Sequence, residues 1–269
     1  MLNFANKTEK KISKDFEKKG YIIQNVIDIK SLNSIKKILV NSICKKTKIK
    51  KSIESDDLLD FFHKKVDKKN LNSIRLEIIK DLNQNKKLKE LYYLISKPFL
   101  DVLVGNELAM QTRLNLSIQL PKDKSSLLPV HSDVWSGDSA FEIVVWLPLV
   151  DCYSTKSMYI LKPSKLKKVN NIISKNKKNS SEKLYHFIKK DINWINIKYG
   201  QVLLFNQTLP HGNRINNEKE TRWSFNCRFK GIFTPYRDKK IGEFFEPITM
   251  KKISEIAMRY NLPKINEKS

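Results

Sequence analysis

Two residues near the middle of the chain have side chains and a spacing that suit metal binding. His131 and Asp133 lie two positions apart in residues 128–135, whose sequence is LPVHSDVW. On an extended strand successive side chains point to opposite faces, so an imidazole and a carboxylate at this spacing point the same way. The pair supplies half of a metal site.

A second imidazole would complete the site, and the chain has four histidines. His211 is the best placed of them. It ends residues 200–212 (GQVLLFNQTLPHG), which read as a turn, an apolar strand and a second turn that delivers the histidine to the next strand. Two histidines and one carboxylate that leave coordination positions open form the facial triad typical of non-haem Fe(II) and oxygen chemistry.

A later strand, TRWSFNCRFKG, carries polar residues on one face: Arg222, Ser224, Asn226 and Arg228 alternate with apolar neighbours. An arginine that faces a barrel interior needs an anion, and its planar guanidinium can hold a carboxylate by two parallel hydrogen bonds. Arg222, helped by the hydroxyl of Ser224, is therefore a candidate anchor for a dicarboxylate co-substrate. Arg228 and Arg113 remain competitors for this anion, and an exposed edge strand remains the other reading of the pattern.

The elements around these residues indicate a fold that is mainly β with a helical N-terminal part. Residues 1–105 are expected to be mostly helical, with one strand at 21–29 and a helix capped by Ser31. Short strands are then predicted at residues 108–120, 141–150, 158–161, 191–199, 201–205, 210–215 and 221–232. Strands this frequent favour a β-sandwich or barrel.

One domain is expected over residues 1–269. It comprises helical support (1–105), a β core (106–240) that carries a helix-like insert (163–190), and a C-terminal helix (241–269). The insert could be a lid or a decoration. In the strand at 108–120 the polar residues alternate with apolar ones, and this polar face could line a cavity or meet solvent: Gln111, Arg113, Asn115, Ser117 and Gln119.

Composition limits the class of protein. A hydrophobic fraction of 40% suits a folded core, and no apolar run is long enough to span a membrane. The three scattered cysteines suit a reducing compartment, so we expect a cytoplasmic protein. The net charge of +24 would suit nucleic acid, but the excess is almost all lysine, as an AT-rich coding sequence would produce. We favour the compositional explanation.

Taken together, these motifs resemble the iron(II)- and 2-oxoglutarate-dependent dioxygenases, especially the phytanoyl-CoA hydroxylase-like group. The resemblance rests on His131-x-Asp133, on His211 eighty residues after His131, and on Arg222-x-Ser224. Within that group, HSDVWSGDSAFEIVVWLPLVD and RWSFNCRFKGIFTPY are similar to oxygenases found sporadically in surface-carbohydrate biosynthesis clusters. The resemblance covers roughly residues 105–240. The segment KSMYILKPSK departs from the family's small-residue turn.

The resemblance implies a double-stranded β-helix, a cupin-like jelly roll braced by α-helices. It implies Fe(II) bound by His131, Asp133 and His211, with 2-oxoglutarate and O2 at the remaining positions. Arg222 and Ser224 would hold the distal carboxylate of 2-oxoglutarate, and Asn115 is the first choice for its other end. The implied reaction is oxidation of a small molecule, a carbohydrate or nucleotide-linked sugar of surface polysaccharide biosynthesis, with release of succinate and CO2.

Three alternatives remain open. A nucleic-acid dealkylase uses the same triad, and the pattern R-x-S-x-N-x-R at residues 222–228 has paired arginines like that branch. A sugar-binding cupin has a similar barrel but usually more metal-binding histidines. A non-catalytic basic binding protein would bind DNA in a strongly salt-dependent way without iron. Oligomeric state is not indicated.

Overall fold

A computed structural model describes residues 4–47, 49, 55–175 and 180–262. Its helices are α1 (Lys7–Lys19), α2 (Ile29–Thr47), α3 (Ser55–Asp60), α4 (Leu71–Asn83), α5 (Lys86–Leu103), α6 (Leu166–Lys175), α7 (Ser181–Ile188) and α8 (Lys252–Ala257). Its strands are β1 (Tyr21–Asn25), β2 (Leu108–Gln111), β3 (Asn115–Gln119), β4 (Glu142–Pro148), β5 (Tyr159–Leu161), β6 (Ile192–Trp194), β7 (Gln201–Asn206), β8 (His211–Gly212), β9 (Arg222–Gly231) and β10 (Phe245–Thr249). The chain is thus a mixture of helices and antiparallel sheet.

The first part of the chain is largely helical, as predicted, and local capping explains where two of its helices begin. The side chain of Asn6 accepts a hydrogen bond from the backbone N–H of Glu9 at the start of α1. At the start of α2 the carboxylate of Asp28 accepts hydrogen bonds from the backbone N–H of Ser31 at 2.9 Å and from its hydroxyl at 2.5 Å. The prediction that Ser31 caps this helix is therefore wrong, because Asp28 performs that role.

The main sheet has seven strands, and its principal order is β1-β7-β4-β9-β2-β10. Central strand β4 is buried along all seven residues, so the sheet is covered on both faces there. Helix α5 packs on one face of this sheet, where the buried hydroxyl of Tyr92 donates to the carbonyl of Val145 at 2.8 Å. The opposite face is free to carry polar side chains around a cavity.

The strand predicted over residues 108–120 is divided in two. Strand β2 pairs with the end of β9, whereas β3 pairs with its beginning. Between them Leu114 turns away to bond the side chain of Asn83, whose Oδ1 accepts from the backbone N–H of Leu114 at 2.8 Å. The prediction of one continuous strand is wrong at residues 112–114, because a hydrogen bond to α4 replaces sheet pairing there.

A second, smaller sheet has the order β6-β5-β8, and His211 of β8 also forms an isolated bridge with His131. The insert predicted at 163–190 is helical in its described part, where it forms a short 3-10 turn and helices α6 and α7; residues 176–179 lie outside the described residues. Its apolar side covers this sheet.

Two elements lie outside the core boundaries that the sequence suggested. Strand β1, within the supposed helical support, forms an edge of the main sheet beside β7. The C-terminal helix expected over 241–269 is wrong for its first half, since Phe245–Thr249 is a strand paired with β2 and only Lys252–Ala257 is helical. Residues 263–269 of that expectation lie outside the described residues. Within the described ranges no helix is long and apolar enough to cross a membrane.

Candidate metal centre and anion pocket

The two histidines of the predicted triad are held side by side by main-chain hydrogen bonds. The N–H of His131 donates to the carbonyl of His211 at 3.0 Å, and the N–H of His211 donates back at 2.8 Å. Each ring places Nδ1 at 2.9 Å from the carbonyl two residues earlier, Pro129 and Leu209 respectively. Because a carbonyl can only accept, Nδ1 carries the proton and Nε2 presents a lone pair.

Asp133 completes the cluster. Ser132 has extended backbone angles, φ −125° and ψ 135°, so the side chains of His131 and Asp133 point the same way, as the spacing predicted. Asp133 Oδ1 lies 3.4 Å from His131 Nε2 and 3.8 Å from His211 Nε2. The three ligand atoms lie within 4.8 Å of one another, which suits one ion.

The protonation states of two of these side chains favour metal binding. Burial, together with the adjacent His131, lowers the pKa of His211 to about 4, so its imidazole is neutral at pH 7. Burial by itself would raise the pKa of Asp133, but the neighbouring His131 and His211 and the charge of Arg228 outweigh it and lower that pKa below its ordinary value. A neutral imidazole and a charged carboxylate are the forms that bind a cation.

Arg228 fixes the carboxylate of Asp133 from the side away from the histidines. Its Nη2 lies 2.8 Å from Asp133 Oδ2, and its Nε lies 3.3 Å from Oδ1 of the buried Asp138. Its Nη1 and Nε also donate to the side-chain oxygens of Gln111 at 3.1 Å and Gln207 at 3.2 Å. From the sequence, Arg228 was predicted only as a competitor of Arg222 for the anion. The alternation of residues on β9 correctly placed Arg228 on the polar face. Its contacts with Asp133 and Asp138 could not be predicted from residue spacing.

Arg222 lies deep in the same cavity, which has a volume of about 430 Å³. Its Nη1 donates to the carbonyl of Ser157 at 3.2 Å and its Nη2 to the hydroxyl of Ser117 at 2.8 Å, whereas its buried Nε has no hydrogen-bond partner in the described structure. Burial lowers its pKa to about 10, so it remains a cation at pH 7. No carboxylate among the described residues forms an ion pair with it.

Ser224 lies on the same face of β9, between Arg222 and Asn226, and is opposite Ser117 in the sheet. Its hydroxyl is buried and, within the described ranges, without a partner. The cavity wall includes Arg222 and Asn226 but does not include Ser224 itself. Unpartnered buried donors are rare in native proteins, so this pair of orphaned groups fits a bound anion.

The polar face of the strand pair β2 and β3 is turned toward the cavity at three positions. Gln111, Asn115 and Ser117 line it, and the side-chain amide of Asn115 donates to Asn226 Oδ1 at 3.0 Å. Gln119 instead donates to a backbone carbonyl at 2.5 Å, and Arg113 is exposed in an adjoining cavity. The solvent-facing interpretation therefore applies to Arg113 alone, which does not reach the anion pocket.

The chain is similar in structure to several non-haem oxygenases. It aligns over 88% of its length with 84% of the non-haem monooxygenase ThoJ in complex with nickel, at 12% identity and a TM-score of 0.56. It aligns over 92% of its length with 98% of SnoK, a non-haem α-ketoglutarate-dependent carbocyclase from nogalamycin biosynthesis, at 12% identity and a TM-score of 0.54. HygX from Streptomyces hygroscopicus, with nickel and 2-oxoglutarate bound, aligns at 12% identity and a TM-score of 0.50, with coverage of 86% of this chain and 90% of that one.

These similarities are found by comparison of structures and not by comparison of sequences. No protein-family model and no curated protein matches the sequence. At identities of 12%, the alignments concern the path of the backbone rather than the reaction. The chain therefore has the fold of the non-haem oxygenases with which it aligns.

Proposed function

We propose that this protein is an Fe(II)- and 2-oxoglutarate-dependent dioxygenase that oxidises a small polar molecule, with a carbohydrate or nucleotide-linked sugar as the substrate class. The observation that carries the proposal is one cavity that holds both a triad of His131, Asp133 and His211 and a buried, unpaired Arg222. A metal site alone fits many proteins. A metal site beside a buried cation without a carboxylate partner fits a chelating dicarboxylate.

In this proposal the two sheets form the jelly roll that the sequence resemblance implied, as one domain braced by helices. The sheet face opposite α5 and the small sheet enclose the cavity between them. The cavity volume of about 430 Å³ falls in the range of small-ligand sites, roughly 300–1,000 Å³. The cytoplasmic location remains a prediction.

The metal ligands are proposed to be the two Nε2 atoms and Oδ1 of Asp133. Arg228 binds Oδ2, so it leaves Oδ1 for the ion and fixes the plane of the carboxylate. When bound, Fe(II) and 2-oxoglutarate supply the activation of dioxygen, with succinate and CO2 as by-products. The protein's own part is to hold the ligands in the required protonation state and to orient the co-substrate.

Arg222 is proposed to hold the distal carboxylate of 2-oxoglutarate through its free Nε, with Ser224 as a second donor after a small shift of its hydroxyl. Asn115 lies farther along the cavity, and its amide retains one N–H beyond the bond to Asn226. That N–H is our candidate for the end of 2-oxoglutarate nearest the metal. Apolar side chains complete the wall and keep water from the reacting groups: Val144, Trp146, Met158 and Phe205.

The test is anaerobic titration of the metal-free protein with Fe(II) and 2-oxoglutarate, monitored by the visible metal-to-ligand charge-transfer band. We expect a band in the wild type and a 2-oxoglutarate affinity about 100-fold weaker in Arg222→Ala, equivalent to roughly 3 kcal/mol for a buried charge pair. Arg75→Ala is the control, because Arg75 lies on the outer helix α4 and bonds Asn72.

The possible outcomes separate the classes of function. A folded, iron-loaded protein without the band contradicts the oxygenase proposal and favours a cupin or a basic binding protein. A band of equal strength in Arg222→Ala would show that another residue anchors the co-substrate. Succinate formation stimulated by an alkylated oligonucleotide, but by no sugar derivative, would support the nucleic-acid dealkylase instead.

A further inference from the structure

The cavity that holds the triad of His131, Asp133 and His211 adjoins a second cavity of about 560 Å³. Gln111, Asn115 and Phe244 line both spaces, so the two are neighbours across a shared wall. If the metal and co-substrate fill the inner cavity, the outer one is where the rest of a substrate can extend.

Each cavity has one cation at this shared wall. Lys239 lines the inner cavity, and its Nζ lies 4.8 Å from the centre of the Phe244 ring. Arg113 lines the outer cavity. In the described part of the chain neither side chain has a hydrogen bond or an ion pair with an acidic residue. Both cations line cavities that share Phe244, and Glu243 is the acidic residue that lines the outer one.

The charges in the inner cavity leave Lys239 only a longer-range electrostatic interaction with Asp138, a carboxylate that Arg228 already contacts. Of the three cations that line it, Arg228 contacts Asp133 and Asp138, and Arg222 is assigned to the co-substrate. The metal would be balanced by Asp133 and by the near carboxylate of 2-oxoglutarate. Lys239 is therefore the positive charge that remains for a substrate.

The loop that carries Lys239 is anchored to the metal-binding segment. The backbone N–H of Asp238 donates to the carbonyl of Gly137 at 3.1 Å, and the guanidinium of Arg237 donates to the carbonyl of Val134 at 3.0 Å. Gly137 has φ +89°, and a Cβ there would lie 2.3 Å from the Asp238 carboxylate. The backbone next to the lysine is thus tied to the segment that follows Asp133, which reduces the backbone entropy lost when the lysine binds a ligand.

We propose that the substrate is a phosphate ester whose phosphate binds between Lys239 and Arg113, beside the ring of Phe244. This inference rests on the proposed function and narrows its substrate class to phosphorylated sugars. Phosphate is favoured over a carboxylate because two separate cations suit a doubly charged anion with three acceptor oxygens. A sugar monophosphate and a nucleoside-diphosphate sugar share this chemistry, and the second would also place a base against Phe244.

The test uses isothermal titration calorimetry on the anaerobic Fe(II)–2-oxoglutarate complex with two pairs of probes. Glucose 1-phosphate is compared with glucose, and UDP-glucose with uridine. We expect the phosphorylated member of at least one pair to bind about tenfold or more tightly, with an affinity that falls as salt rises. Lys239→Ala should remove most of this preference, Lys239→Arg should retain it, and Lys240→Ala, on an exposed neighbour outside both cavities, should change nothing.

The affinity for 2-oxoglutarate, measured on the same samples, separates the two proposals. If it is normal and neither pair shows a preference for the phosphorylated member, including no binding at all, the phosphate inference is wrong while the proposed function stands. If 2-oxoglutarate itself does not bind the wild type, the proposed function fails. A short single-stranded oligonucleotide that binds more tightly than every sugar probe, in a Lys239-dependent way, would overturn the small-molecule assignment.

Discussion

The guanidinium of Arg228 lies 2.8 Å from Oδ2 of Asp133, on the side of the carboxylate opposite the two histidines. The contact determines which oxygen is left for a metal, because Oδ1 is the atom nearest both imidazoles. Arg228 is itself held by side-chain oxygens from β2 and from the turn after β7. A partner of a metal ligand that is fixed in this way controls the ligand's orientation as well as its charge.

Replacement of Arg228 by lysine should lower Fe(II) affinity by about tenfold, since lysine keeps the charge but cannot bond Asp133 and Gln111 together. Fe(II) affinity is measured anaerobically by competition with a chromogenic chelator. Arg75→Lys, on α4, is the matched control and should leave the affinity unchanged. An unaltered affinity in Arg228→Lys would show that charge alone is sufficient.

Replacement of Ser224 by alanine should weaken 2-oxoglutarate binding by about three- to tenfold and leave stability equal or higher by about 1 kcal/mol. The reason is that the buried hydroxyl lacks a partner in the described structure until the co-substrate arrives. Ser96→Ala is the control, because the Ser96 hydroxyl is buried and bonds Tyr92 O at 3.1 Å. Ser96→Ala should lose stability and keep its 2-oxoglutarate affinity. If Ser224→Ala loses stability and keeps its 2-oxoglutarate affinity instead, Ser224 has a structural role.

Glu142 should make stability depend on pH. Burial raises its pKa to about 7 from an ordinary value of 4.5. Between pH 4.5 and about pH 7 Glu142 is protonated in the folded protein but ionised in the unfolded chain. The free energy of unfolding that Glu142 contributes therefore falls as pH rises through this range, by up to about 3 kcal/mol. Glu142→Gln should remove this contribution.

The comparison must be made between the two proteins at each pH. His211 contributes with the opposite sign, because burial lowers its pKa to about 4. The part of the free energy of unfolding that His211 contributes is lost as pH falls from about 6.5 to 4. Urea unfolding of wild type and Glu142→Gln at several pH values from 5 to 8 isolates the Glu142 contribution as their difference. A difference that stays constant over this range contradicts the raised pKa.

Replacement of Gly212 by alanine should impair the metal centre although Gly212 is no ligand. A Cβ there would lie 2.8 Å from the Leu128 carbonyl and 2.8 Å from the Tyr159 hydroxyl, so the backbone beside His211 must shift. We expect a loss of about 1–3 kcal/mol and weaker Fe(II) binding. Adding Tyr159→Phe removes the clash with the hydroxyl and should restore part of the stability and of the Fe(II) affinity. If neither is restored, contact with the Tyr159 hydroxyl is not the cause of the loss.

Part of the candidate metal site could be predicted because its signals are local. The two-residue spacing of His131 and Asp133, and the alternation along β9, follow from strand geometry alone. The partners of Arg228 could not be predicted in this way, because Gln111, Gln207 and Asp138 come from separate segments. Their convergence is set by sheet order rather than by sequence spacing.

The errors in the fold have similar causes. Strand β10 was interpreted as helix because its strand pairing depends on β2, more than a hundred residues earlier. Pro247 within it was an available signal, since proline disfavours a helix interior. The break between β2 and β3 depends on the amide of Asn83 from α4, a contact that no local pattern encodes.

The reciprocal main-chain bonds between His131 and His211 also bear on which metal the proposed site would bind. They hold the segments that carry His131 and His211 together by strand pairing, so a metal ion does not have to bring them together. Metal binding can therefore follow folding as a separate step. A preorganised site of two imidazoles and one carboxylate discriminates poorly among divalent ions, whose intrinsic affinities rise from iron to nickel and copper. Supply within the cell would then decide occupancy, and purified protein should be assayed for its metal content before its activity is judged.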